Sequence, residues 1–229
     1  MPAPVSTFVP ARTIDEVIIR LEAIITESIR KNSCGGYFAV LYHRVTSRVK
    51  EGIGKKEFED GPRMEKLDVI FANRYLEAWH CYQSGNRCSG CWKTAFDSAI
   101  GTDRIIMQHL LLGINAHINL DLGIAAAETM HGFPVDGIRK DFDAINAVLA
   151  SLVDEVQTKM TKASPLLFLL NLHKASWDEM LVQFSINTAR QGAWDFAVEL
   201  SGKKDAPYQD CVSLRDGIIA RLASGIANP

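Results

Sequence analysis

The sequence predicts an all-α fold: a single-domain helical bundle of about eight helices around one buried central helix. Three observations carry this. Apolar residues recur at spacings of three and four along most of the chain, and no stretch alternates as a strand would. The segment from Gln108 to Met130, QHLLLGINAHINLDLGIAAAETM, is apolar almost all round, as a helix enclosed by protein must be. Finally, 229 residues, 47% of them hydrophobic and 23% charged, are enough to bury a large core in one soluble globular domain. Residues 1–12 read as an N-terminal extension and residues 13–229 as the domain.

Thr13 followed by Glu16 is a capping box. It opens a first helix in which Ile14, Val17, Ile18, Leu21, Ile24 and Ile25 share a face up to about Lys31. After Gly35-Gly36, the residues Phe38, Leu41, Val45, Val49 and Ile53 predict a second helix closing near Gly52 and Gly54, and Lys55 to Gly61 is a loop. Pro62 suits the first position of a third helix, whose stripe of Met64, Leu67, Phe71, Tyr75 and Ala78 runs to about Gln83.

The run SGNRCSG is a turn by composition. A short helix follows with Trp92, Ala95, Phe96 and Ile100, and Thr102-Asp103 is placed to cap the central helix. HGFPVDG ends the central helix, and Asp136 or Gly137 opens a long amphipathic one from Ile138 to Met160, stopping before Ser164-Pro165. Ser176 caps a helix holding Met180 to Leu200, and Asp205 with Pro207 starts a last one reaching about Ser224.

Charge and cysteine content exclude several classes. A net charge of -2 provides no electrostatic footprint for nucleic acid or an anionic membrane. Asp121 and His117 near the middle of the central helix would be costly in lipid, so a core helix is expected and not a membrane span. The start MPAPVSTFVPAR has no basic n-region or apolar h-region, and the five scattered cysteines suit a reducing compartment, giving a cytoplasmic reading. Cys88 and Cys91 form a single CxxC without a second pair or a βαβ context, and read as incidental loop cysteines. No GxGxxG, P-loop or nucleophile elbow is present. Trp92, Trp177, Trp194 and Tyr75 fall on helical faces as core residues.

The central helix carries the candidate site. His109, Asn115, His117, Asn119 and Asp121 sit in otherwise apolar surroundings, and each must find a partner, because an unpaired buried polar group costs roughly 1–3 kcal/mol. On an α-helix His117 and Asp121 share a face, and His109 lies two turns earlier, displaced by roughly 80°. An imidazole with a carboxylate suits a divalent metal such as zinc, and further ligands could come from Glu128, His131, Glu65, Asp68 or a neighbouring helix. Alternatively His117 and Asp121 are a hydrogen-bonded core pair, with Asp121 also meeting Arg63, Arg74 or Arg104. Asn115 and Asn119 project from nearly the opposite side and read as amides bonding neighbouring backbone.

A second polar group, FEDGPRMEKLD, holds Asp60, Arg63, Glu65 and Asp68. An Asp60 to Arg63 ion pair would pin the loop to the third helix, and Asp68 is a candidate partner behind His117. His43, Arg44, Asp141, Asp143, Asn146 and Arg190 are polar positions within apolar periodicity that could converge on the central helix.

The segments GYFAVLYHRVT, FEDGPRMEKLDVIFANRYLEA, QHLLLGINAHINLDLGIAAAETM, DFDAIN and FSINTARQGAW together resemble a bacterial all-helical family of unknown function over about Gly36 to Trp194. The resemblance implies a single all-α domain and no established activity, substrate or cofactor.

Two functions remain open from the residues. One is a non-catalytic helical protein, a small-molecule binder or a structural module, in which Asp121 pairs with an arginine and no pocket reaches His117. The other is a metal-dependent hydrolase with His117 and Asp121 as ligands, His109 as ligand or proton shuttle, and a bound water as nucleophile. Oligomeric state is not readable from the sequence.

Overall fold

The computed structural model describes residues 7–100, 105–146, 148 and 186–228, and no strand occurs among them. Helix α1, Ile14–Arg30, opens as the capping residues predict, with Thr13 Oγ1 accepting from Glu16 N. The Glu16 carboxylate reaches back to Arg12 N at 2.8 Å, one residue before the cap. Helix α2, Gly36–Gly54, lies against α1 and begins inside the glycine pair. The Cβ of any larger residue at Gly36 would stand 2.6 Å from Ser28 Cβ of α1, so this close crossing requires glycine.

Helix α3, Gly61–Gln83, is capped by the Asp60 side chain, which accepts from Arg63 N, and carries Pro62 in its first turn. It ends at Gly85, whose φ of 70° lets Asn86 N return to Cys81 O at 2.8 Å. Helix α4, Gly90–Asp97, stops three residues before Ile100, where the apolar spacing would have ended it. Its N-terminus is held by Asp216, whose carboxylate accepts from Gly90 N and Cys91 N.

The central helix is in three parts: α5, Ile106–Ala116; a π-helical turn, His117–Asp121; and α6, Leu122–Thr129. Its span is long and apolar enough to cross a membrane, yet 83% of its most apolar window is buried within the protein. The continuous α-helix expected from the sequence is thus corrected by one π turn, in which Leu122 N bonds His117 O five residues back. The turn disturbs the i→i−4 ladder, and Arg215 Nε reaches in to donate to Asn119 O at 2.9 Å. At the helix start Gln108 accepts from Ile105 N and donates to Ile226 O. The Thr102-Asp103 cap lies outside the described residues.

After Gly132, at a φ of 85°, a 3₁₀ turn, Val135–Ile138, leads into helical residues 139–146. The predicted continuation to Met160, the Ser176 cap and Trp177 lie outside the described residues. Helix α7 is Ile186–Ser201, and α8 is Asp205–Ala227.

The helices pack around the central one. Helices α2, α4 and α8 lie against α5, α3 and α7 lie against α6, and α1 covers α2 and α3 from outside. Trp92, Trp194 and Tyr75 are buried in this interior, as their helical positions predict. All five cysteines are unpaired thiols, and burial pushes the Cys91 thiol far up, so it stays protonated.

Candidate functional site

The π turn presents His117 and Asp121 together. Their side chains meet at 3.4 Å, His117 Nδ1 to Asp121 Oδ2, and both are buried at 3% and 1% exposure. Trp92 Nε1 of α4 donates to the same oxygen at 2.8 Å. Arg74 Nε of α3 donates to Oδ1 at 3.3 Å. Of the arginines weighed for Asp121, Arg74 pairs with it and Arg63 pairs with Asp141 instead, while Arg104 lies outside the described residues. Burial pulls the Arg74 guanidinium down, but Asp121 and Glu128 outweigh that and leave its pKa raised.

The His117 ring is stacked on Phe71, with centroids 3.5 Å apart and planes within 9°. Tyr42 stands edge-on at 4.4 Å, and Phe38, Tyr75 and Trp92 complete an aromatic wall. In this setting burial lowers the His117 pKa below its ordinary value. The hydrogen bond to Asp121 acts in the opposite direction, and Arg74 adds to the lowering. A neutral ring with Nδ1–H toward Asp121 is the tautomer this environment favours. Nε2 is then a bare acceptor, and it has no hydrogen-bond partner among the described residues.

The remaining sequence-predicted residues divide among other places. His109 is buried and tilted against Tyr37 at 6.0 Å. It lines a cavity of about 20 Å³ with Cys34, Tyr75 and Trp92. Asn115 Nδ2 donates to Ile219 O of α8 at 3.2 Å and Asn119 Nδ2 to Asn115 Oδ1 at 3.0 Å, so the asparagines tie the central helix to α8 and to each other. Asp60 and Arg63 do approach, at 3.8 Å, but the shorter ion pair of Arg63 is with Asp141 at 2.9 Å. Asp141 also accepts from Glu59 N and Asp60 N, so one buried carboxylate from helical residues 139–146 pins the loop before α3.

Asp68 is 4% exposed, and its Oδ2 has no hydrogen-bond partner among the described residues, so it makes no hydrogen bond to His117 through that atom. It lines a chamber of about 30 Å³ with Tyr42, Met64, Phe71, Phe142 and Arg190. His117 and Asp121 are not among the residues lining that chamber. Burial, with a smaller contribution from Glu65, pushes the Asp68 pKa up to about 8.

Chemically the His117 centre can pass a hydrogen bond from ring to carboxylate and accept one at Nε2. Among the described residues no group of three His, Cys, Asp or Glu side chains is placed to hold a metal ion. Sequence reasoning missed Trp92 as a donor and Tyr42 as a chamber residue, because aromatic residues at helical spacing read as packing alone. A tryptophan facing a buried carboxylate is the signal that was present.

No curated protein and no solved structure matches this chain. A family model described as a family of unknown function (DUF5995) matches residues 14–229, nearly the whole sequence. With its helices and buried polar centre, the chain belongs to that family of unknown function.

Proposed function

We propose that this protein is a non-catalytic binder of a small molecule, with the His117–Asp121 centre as a structural lock and the chamber beside Asp68 as the place a ligand enters. The observation that carries this reading is the occupation of Asp121: both oxygens are engaged, by Arg74 on one side and by Trp92 and His117 on the other. A carboxylate so engaged holds α3, α4 and the π turn in register. The apolar chamber of about 30 Å³ beside Asp68 lies apart from that lock and has room for a guest of roughly two or three water-sized groups.

The second reading, a metal-dependent hydrolase with His117, Asp121 and His109 as ligands to zinc or a similar ion, is favoured by one feature. The Nδ1 of a metal-bound histidine commonly donates to a carboxylate, and His117 Nε2 is without a partner among the described residues. Elemental analysis of protein purified after growth with added zinc separates the two. The binder reading expects far less than one metal ion per chain. One tightly held ion per chain, lost in His117→Ala, would establish the hydrolase reading instead.

A further inference from the structure

The rotation of helix α8 about its own axis is fixed by what it turns inward. Ile219, Ala223 and Ile226 are buried in the core. Arg215 donates to Asn119 O and Gly192 O, and the Asp216 carboxylate accepts from Gly90 N and Cys91 N. At about 100° per residue, the opposite face carries Asp210, Leu214, Gly217, Ile218, Arg221 and Leu222, all of them exposed. Leu214, Ile218 and Leu222 make an apolar ridge at a spacing of four, and Leu214 at its start is 68% exposed. Gly217, beside the ridge, has open space where a Cβ would stand.

Asp210, Leu214, Gly217 and Arg221 follow one another at spacings of four, three and four, the pattern of a seam between two helices. Reversed end for end, this seam is its own complement. The point midway between Leu214 and Gly217 is also midway between Asp210 and Arg221. An antiparallel copy turned about that point therefore sets Leu214 opposite Gly217 and Asp210 opposite Arg221, each pair twice. Among the described residues neither Asp210 nor Arg221 has an ion pair within the chain, so both charges are open to a second copy. A parallel alignment would instead face Asp210 with Asp210 and Arg221 with Arg221, which like-charge repulsion disfavours.

We propose that the outward face of α8 is a two-fold contact between two copies of this chain, paired antiparallel, with Leu214 of each seated over Gly217 of the other and Asp210 of each against Arg221 of the other. Ile218 and Leu222 flank the seam and add apolar area to it. A seam of about three turns covers less than the roughly 800 Å² per partner of a standard interface. The pair is accordingly weak and reversible, with a dissociation constant on the order of 10–100 µM.

The test is sedimentation of the full-length protein between about 1 µM and about 500 µM, a range that spans such a constant. The wild type is expected to pass from monomer to dimer across it. Asp210→Arg alone and Arg221→Asp alone should each weaken the dimer at least tenfold, because each leaves like charges facing across the seam. An equimolar mixture of these two variants should recover a dimer within about threefold of the wild-type affinity, since every charge then meets its opposite. Leu214→Glu should abolish association. A wild type that stays monomeric at the highest concentration, a dimer that Asp210→Arg and Leu214→Glu leave intact, or a mixture no tighter than either variant alone would each overturn the contact.

Discussion

Asp121→Ala is expected to destabilise the protein by about 3–5 kcal/mol, the range for removing one partner of a buried charged network. At this chain length that corresponds to a melting temperature lower by roughly 6–20 °C. The substitution removes the acceptor for Trp92 Nε1–H and His117 Nδ1–H, both in the core. It also strips Arg74 of its shortest ion contact. Arg74 is 29% exposed, so water recovers part of its share and most of the loss comes from the two buried donors. The Asp121→Ala, Arg74→Ala double variant should therefore be no less stable than the single one. Chemical denaturation of the three proteins measures this. A loss below 1 kcal/mol for Asp121→Ala would mean that the carboxylate locks nothing.

Gly123→Ala is expected to cost about 3 kcal/mol, the upper end for overpacking a core, because the obstruction is backbone. A Cβ at this position on α6 would lie 2.7 Å from Ala193 O of α7 and 2.8 Å from Phe196 Cδ1. A side chain can turn aside, but a carbonyl within α7 can move only if the helix moves. Gly217 and Gly225 on α8 have open space where a Cβ would go. There Gly→Ala should stabilise, by about 0.5–1 kcal/mol, through helix propensity. Thermal melts of the three variants compare the sites. Gly123→Ala melting with the wild type would contradict the close α6–α7 crossing.

The all-α fold was legible because apolar spacing of three and four needs no distant information, and the capping residue Thr13 acts within one turn. The π turn was not. Its extra residue falls where almost every position is buried, so the apolar pattern shows no change of phase. The His117–Asp121 pair was legible because residues four apart stay on one side of the helix even through this turn. Arg74 could only be placed among three arginines, since its pairing depends on how α3 crosses the central helix. Asp141 and Asp216 hold backbone N–H groups more than 80 residues away in sequence, and long-range capping of that kind leaves no local trace. The chamber escaped for the same reason: Tyr42, Asp68 and Arg190 come from three helices and line one space only after packing.

The direct measurement of the lock is the protonation state of His117, read from its ring nitrogens by NMR in a pH titration with and without added zinc. Burial holds the ring below its ordinary pKa, so as pH falls through about 6.5 the unfolded chain takes up a proton that the native ring refuses, and stability declines. The account predicts a neutral ring protonated at Nδ1, with no titration near pH 6.5 and no response of Nε2 to zinc. A midpoint at or above 6.5, or a zinc-dependent shift at Nε2, would contradict it.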